Sequence, residues 1–332
     1  MLRKTIAIDF GSVKTIVVSD SGEILYNEPS IVAIDSITNR VIAIGDEALK
    51  TVGKTPENIT VAYPIKEGVI SSPRVAAAVL TYIIAKVSKR NRFFKPDVIL
   101  SLPVGITSVE RRAMYEAGVS AGAREAYLVP SLMCASFAVD MDINTPFGNT
   151  ILSIGGGITE MGIMSLGGMV LSNSTRIAGN NITDAIISHV KKHYQLLIGS
   201  AMAESIKLRI GNCMRVEDEK EIEVRGRDAA NNMPRNITLK TNDVVDSIKP
   251  VLMNIIVMIK QVMEKTPTEL SSDIVDAGVM VCGGTALLPN ISTLLTKSIG
   301  VSFFIADEPD LVVAHGLQKI VNDSAFYSNF KA

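Results

Sequence analysis

Short apolar runs closed by glycine turns open the chain, and the same pattern returns near its middle. Thr5–Leu25 reads TIAIDFGSVKTIVVSDSGEIL, and Asn149–Leu171 reads NTILSIGGGITEMGIMSLGGMVL. Each stretch predicts a strand, a glycine-containing turn, a second strand, another glycine turn and a third strand. The first turns are Asp9-Phe10-Gly11-Ser12 and Ser153-Ile154-Gly155-Gly156-Gly157. Aligning Asp9 with Ser153 superposes Gly11 on Gly155 and Thr15 on Thr159. A repeat this long is a duplicated domain and too large for a solenoid unit. Each copy ends a strand in a glycine turn whose backbone N–H groups are free to bind. Two such turns facing each other hold a polyphosphate between two lobes.

The remaining pattern interleaves β segments with helices. Short strands are predicted at Ser30–Ile34 and Val41–Ile44, with a turn over 36–40, and a buried strand at Asp97–Leu102. Ser71–Val87 carries a helix start (Ser71, Ser72, Pro73) and apolar residues at helical spacing. Thr107–Ala121 opens with a Thr107/Glu110 capping box. Helices are also predicted over Leu132–Val139, Thr183–Tyr194, Ser200–Ile210 and Asn242–Lys265, and from about Pro289. Met214–Leu239 alternates in β fashion around Arg225-Gly226-Arg227-Asp228, and Val279–Cys282 is a strand running into Gly283-Gly284-Thr285. This alternation predicts α/β lobes, and a chain of 332 residues is long enough for two of roughly 150 each.

Composition narrows the class without naming a chemistry. Apolar residues are 47% and charged ones 20%, the profile of a folded globular chain. A net charge of −1 argues against a nucleic-acid-binding body, which carries a basic face. Cys134, Cys213 and Cys282 are distant and odd in number, so no disulfide framework or metal motif is expected, and a reducing cytosol is. Met1-Leu2-Arg3-Lys4 runs straight into a strand, so no secretory signal is expected, and the triplets at Asn58 and Asn236 then carry no glycosylation meaning. The longest apolar run, Val251–Met263, is interrupted by Asn254 and Lys260 and is too short to span a bilayer. A soluble intracellular protein is the expectation.

No G-x-x-x-x-G-K-[ST] stretch is present, so phosphate binding falls to the two hairpin turns. The Asp9 carboxylate stands beside the first of them, placed to hold Mg²⁺ directly or through water. Either turn alone reads more simply as an ordinary hairpin glycine; duplication in preserved order favours the functional reading. Val279–Pro289 is a strand, a glycine corner and a helix start, suited to a nucleotide ring or sugar lying on the backbone, or else a plain β-to-α connection. His189 and His193 have metal-compatible spacing, but no Glu or Cys completes a set, so surface histidines are expected. Met253, Met258 and Met263 are expected in the core. Arg92-Phe93-Phe94-Lys95 is either a packed loop or a tip in which Phe93 and Phe94 dip into lipid while the cations meet anionic headgroups.

Taken together, these pieces resemble the MreB family of bacterial actin homologues, within the actin/Hsp70/sugar-kinase superfamily. The resemblance covers nearly the whole chain. It is carried by IAIDFGSVKT (6–15), NEPSIVAI (27–34), PIKEGVI (64–70), GITSVERRA (105–113), GAREAYL (122–128), SLGGMVLSNSTRIAGNNITDAI (165–186), AESIKLRIG (203–211), VRGRD (224–228) and VMVCGGTALL (279–288). It implies a duplicated actin-like (ribonuclease H-like) α/β fold, two lobes each with a large and a small subdomain around a nucleotide cleft. The implied division is 1–31, 67–147 and 309–332; 32–66; 148–179 and 243–308; and 180–242. It implies ATP or ADP with Mg²⁺ as ligands, double protofilaments at the inner face of the cell membrane, and paralogous partners. Carried over by motif, Ser12, Val13 and Lys14 lie at the first phosphate turn and Gly155, Gly156 and Gly157 at the second. Glu204 and Lys207 reach the ribose and adenine region, and Gly283, Gly284, Thr285 and Ala286 complete the floor.

The chain departs from the family pattern at the reacting end. Family members usually carry Glu-Glu-Pro where this sequence has Pro130-Ser131-Leu132, and an Asp then GGGTT where it has Ser153 and Gly155-Gly156-Gly157-Ile158-Thr159. The water-orienting glutamate is thus Ser131, its assisting hydroxyl is Ile158, and a second acid near the metal is Ser153. Lys14 stands where the family usually has Asn, adding charge near the phosphates. The expectation is an ATP-binding filament protein for cell shape that hydrolyses slowly, with motility a further role in the wall-less helical bacteria where divergent paralogues occur. Two other readings remain within the superfamily. A small-molecule kinase would need a carboxylate base, and an Hsp70-like chaperone a peptide-binding domain beyond Ala332.

Overall fold

The duplication survives in three dimensions as two five-stranded sheets built on one plan. The structure is a computed structural model describing residues 5–54, 56–87 and 95–331. The first sheet runs in the order Ile24–Pro29, Lys14–Ser19, Thr5–Phe10, Asp97–Leu102, Glu125–Pro130. The second runs Gly168–Thr175, Thr159–Ser165, Asn149–Ile154, Val279–Cys282, Phe303–Ile305. In each, three strands form an antiparallel meander and two more add in parallel. Even the turn chemistry repeats. Phe10 pairs with Thr15 and Ile154 with Thr159, and the N–H groups of Gly11 and Gly155 donate to the carbonyls of Lys14 and Ile158, both at 3.0 Å.

The central strands are covered on both faces, which is why they read as continuous apolar runs. On the first sheet Ile6, Ile8 and Leu100 face the helices Pro73–Val87 and Ser108–Ser120, joining Leu80, Ile83 and Met114. Ala7, Ile99 and Val129 face Ser131–Ala138 and Val312–Ile320, joining Cys134 and Leu317. Those two helices touch backbone to backbone. A Cβ on Gly316 would overlap the Cys134 carbonyl, so no other residue fits there without moving a helix. The second sheet packs on Gly179–Tyr194 and the 25-residue helix Thr241–Lys265. Two three-stranded sheets, one of Arg40–Ile44, Val32–Asp35 and Ile59–Ala62 and one of Leu196–Leu197, Glu221–Asp228 and Pro234–Lys240, sit outside the large ones.

Several expectations needed correction. The helix expected from Thr183 begins at Gly179, because the Asn181 side chain accepts the Ala178 N–H at 2.9 Å and starts the helix a turn early. The β region expected from Met214 begins as a strand only at Glu221. The third glycine corner passes through a 3₁₀ turn, Gly284–Leu287, before the helix Ile291–Ile299. Met258 is buried and Met263 packs on the core, but Met253 is about half exposed. The buried stripe of its helix is Leu252, Ile255, Ile256 and Ile259, and Met253 falls one step round from it. Cys134, Cys213 and Cys282 are buried and unpaired among the described residues. His193 is exposed, and its ring stacks on that of half-buried His189 at 4.4 Å. Among the described residues no helix is long and apolar enough to cross a membrane.

Candidate functional site

The two hairpin tips come from opposite sheets and meet. A Cβ on Gly156 would overlap Val13 Cγ2, and one on Gly157 would overlap Ser12 Oγ, so these glycines are bare because the first hairpin fills their side-chain space. Ser12 Oγ accepts the Gly68 N–H at 3.0 Å, and Ile158 packs against Gly68. Beside this contact opens a cavity of about 550 Å³ between the lobes.

Most of the residues singled out in the sequence line that cavity. Asp9, Gly11, Ser12, Val13 and Lys14 come from the first hairpin, and Ser153, Gly155, Gly156, Gly157 and Ile158 from the second. Glu204 and Lys207 come from the helix Ser200–Ile210, Gly283, Gly284 and Thr285 from the third corner, and Ser131 from the start of its helix. Ala286 lies in the same 3₁₀ turn but is buried in the core of the second lobe and is not among the lining residues. Phe93 and Phe94 lie outside the described residues.

Local chemistry fixes each wall. Gly283 has φ +89° and approaches Ile154 so closely that a Cβ would overlap its carbonyl, two independent reasons for glycine. Thr285 Oγ1 donates to the Gly155 carbonyl at 2.7 Å, fastening the third corner to the second hairpin. The N–H groups of Gly179 and Asn180 donate to the carbonyls of Gly155 and Gly156 at 3.1 and 2.7 Å, docking the helix start on the same hairpin. Lys207 is pinned three ways: Nζ meets Glu204 Oε2 at 2.7 Å, Thr183 Oγ1 at 3.1 Å and the Gly179 carbonyl at 3.2 Å. Leu208 and Leu287, both largely exposed, give the rim an apolar wall.

The floor is acidic and mostly buried. Asp9 Oδ1 accepts from Ser101 Oγ at 2.6 Å, and burial raises this carboxyl above its ordinary value, partly offset by that bond. Glu160, from the second hairpin, accepts the Val104 N–H at Oε2 (2.8 Å) and the Ser131 hydroxyl at Oε1. Burial lifts its carboxyl from 4.5 to about 7; the two hydrogen bonds oppose the rise and the Asp9 charge adds to it. Burial likewise pushes the Cys282 thiol up to about 12, so it supplies no thiolate. Glu160, Ser101, Leu208, Leu287 and Asp310 line the site without having been singled out in the sequence. Glu160 had a signal, since it lies one residue past the Thr159 that the repeat matches to Thr15. Leu208 and Leu287 fall inside the quoted stretches 203–211 and 279–288 without having been given a role there, and Ser101 and Asp310 stand in no motif.

Two duplicated lobes, each a meander extended by parallel strands, with a cavity at their glycine hairpins, define an actin-like protein. The MreB/Mbl protein family model matches residues 3–328, and the chain belongs to that family. It is 37% identical over 316 residues to the cell shape-determining protein Mbl of Bacillus subtilis (strain 168), covering 95% of each chain. It is 38% identical over 322 residues to the cell shape-determining protein MreB of Escherichia coli (strain K12), covering 95% of this chain and 92% of that one. The crystal structure of Spiroplasma citri MreB5 bound to AMPPNP superposes with a TM-score of 0.93 at 29% identity, over 99% of this chain and 98% of the other. The MamK double helical filament shares the fold, with a TM-score of 0.80 at 17% identity over 96% of this chain and 98% of that one.

Proposed function

We propose that this protein is a cytoskeletal filament subunit that binds an adenine nucleotide in the cleft and hydrolyses it slowly. The observation that carries the reading is the pair of duplicated hairpins meeting beside the cavity. Solved relatives support it: MreB5 of Spiroplasma citri was crystallised with AMPPNP and with ADP. In this reading the phosphates lie against the loop amides of Ser12, Val13 and Lys14 and of Gly156 and Gly157. Sugar and base lie toward Glu204, Lys207 and the Gly283–Thr285 corner, with Leu208 and Leu287 as apolar cover for the ring. The four subdomains divide at the boundaries given above, each small sheet falling in a small subdomain.

The donor set fits Mg²⁺. Among the described residues no group of three or more His, Cys, Asp or Glu side chains could cage a metal. Mg²⁺ asks for one or two carboxylates, waters and substrate phosphates, and Asp9 supplies the carboxylate. When bound, the ion would neutralise phosphate charge, while Asp9 and Ser101 hold its position. Slow hydrolysis follows from the other end of the floor. The Ser131 hydroxyl is committed as donor to Glu160, and Ile158 offers a water nothing to bond.

The test is sedimentation and negative-stain microscopy of the purified protein with ATP and Mg²⁺. Filaments whose mass grows with protein concentration are expected, and their absence under nucleotide-saturated conditions would overturn the reading. We place the filaments at the inner face of the membrane, alone or mixed with paralogous chains, through Phe93 and Phe94. The double change Phe93→Ser, Phe94→Ser should lower the binding constant for anionic liposomes, read by co-sedimentation, by about 10²-fold or more, since two buried aromatics are worth roughly 3–6 kcal/mol of insertion. Unchanged sedimentation would remove the membrane tip.

A further inference from the structure

An ion pair spans the cleft between the glycine corners of the two lobes. Lys14 Nζ, on the first hairpin, lies 2.9 Å from Asp310 Oδ2. Asp310 sits where the chain leaves the second sheet after Phe303–Ile305 and re-enters the first lobe as Val312–Ile320. It is held against the third corner: the Gly283 N–H donates to the Pro309 carbonyl at 2.7 Å, and a Cβ on Gly284 would stand 3.8 Å from the Asp310 Cβ. Both partners line the cavity. A polyphosphate laid between the first hairpin and that corner therefore meets this pair.

The charge balance of the walls makes the pair consequential. Among the described residues the lining carries two ammonium groups, Lys14 and Lys207, against the carboxyl groups of Asp9, Glu160, Glu204 and Asp310, the first two of which burial raises above their ordinary values. Lys207 is nine-tenths buried and bonded to three oxygens, so it cannot swing toward a ligand. Lys14 is 46% exposed on a flexible stem, and its partner is 27% exposed. Such a solvated pair is weak, so a phosphate group can take the ammonium away from the carboxylate.

Resting on the nucleotide reading above, we infer that Asp310 is a specificity-determining residue that holds Lys14 when the cleft is empty and surrenders it to phosphate. Only a ligand that puts phosphate oxygens beside Lys14 separates the pair, and the cost of separation is deducted from the binding of that ligand alone. Adenosine leaves the pair closed, whereas di- and triphosphates open it. Asp310 thus lowers affinity for di- and triphosphates alone and narrows their advantage over unphosphorylated ligands.

The test is equilibrium binding of ATP, ADP and adenosine, with Mg²⁺ present, to the wild type, Asp310→Asn, Lys14→Gln and the double variant. Asp310→Asn keeps the side-chain shape while removing the competing charge. An exposed pair at the strong end of its range corresponds to about fivefold in affinity, so ATP and ADP should bind about fivefold more tightly and adenosine unchanged. Lys14→Gln should weaken ATP and ADP but not adenosine. In that background Asp310→Asn should add less than about twofold, a coupling that a merely structural role for Asp310 would not produce. Saturable ATP binding by the wild type with an Asp310→Asn change below twofold, or an equal gain for adenosine, overturns this inference alone. No ATP binding by the wild type overturns the nucleotide reading together with it.

Discussion

Ser131→Glu combined with Ile158→Thr is expected to raise the rate of phosphate release from ATP by about 10²-fold, the lower end of what a positioned acid–base group contributes. Ser131 opens the helix Ser131–Ala138, lines the cavity and is nearly buried. A carboxylate at that first helical position is favoured by the helix dipole and points where the serine hydroxyl now points. Thr at 158 keeps the β-branch that packs on Gly68 and replaces an apolar tip with a hydroxyl able to hold water. The new acid arrives beside Glu160, which loses its Ser131 donor. Like charges disfavour joint ionisation, so the introduced carboxylate and Glu160 should share a proton near neutrality, and the gain should be larger at pH 8 to 9 than at pH 6. Ser131→Ala with Ile158 intact supplies the control: it frees Glu160 from its donor without adding a base and should leave release slow. A doubly substituted protein that binds ATP and forms filaments, yet releases phosphate at the wild-type rate across that pH range, would show that these two positions do not limit the chemistry.

The part of the site that was legible in the sequence is the part built by local backbone. A glycine hairpin is specified by four consecutive residues, so two copies in the same order can be read without knowing how the chain folds. Their matching register, Phe10 to Thr15 and Ile154 to Thr159, shows how local that information is. The pairings among the charged groups are assembled across distance, so single residues such as Asp9 and Lys14 could be singled out in the sequence but their partners could not. Asp9 meets Ser101 from 92 positions away, and Lys14 meets Asp310 from 296. Asp310 follows Asp307, Glu308 and Pro309 and stands in none of the quoted motifs. Glu160 sits in an apolar strand that is buried throughout, and alternation arguments have no face to assign it to. The helices Thr268–Ala277 and Val312–Ile320 were not anticipated either; the second is nine residues long, and its place against Ser131–Ala138 depends on Gly316 approaching another backbone. Helix ends failed for a related reason: the turn beginning at Gly179 is held by hydrogen bonds to the carbonyls of Gly155 and Gly156, which come from another element.

Glu160→Gln is expected to stabilise the ligand-free protein above neutrality by about 3 kcal/mol and to leave it unchanged near pH 4. The carboxyl is 3% exposed and titrates at about 7 in the folded state, against 4.5 ordinarily. A raised folded value means that folding favours the protonated acid. The stability this provides is therefore fully present below pH 4.5, fades as the pH climbs, and is gone once it has passed about 7. At 1.36 kcal/mol per unit, a displacement of this size amounts to about 3 kcal/mol between the two limits. Glutamine satisfies the same partners with no charge to bury. Its carbonyl accepts the Val104 N–H that Oε2 accepts now, and its amide donates to Ser131 Oγ, which can rotate to receive it. Asp9 is displaced in the same direction by the same burial, so the wild type should lose stability with rising pH through both acids, and the variant through one. Urea unfolding of both proteins at pH 4, 6 and 8, without nucleotide or divalent cation, isolates the Glu160 share as the difference between the two curves. Parallel curves would mean that the acid is solvated or paired in solution, and that the floor of the cleft is wetter than its packing indicates.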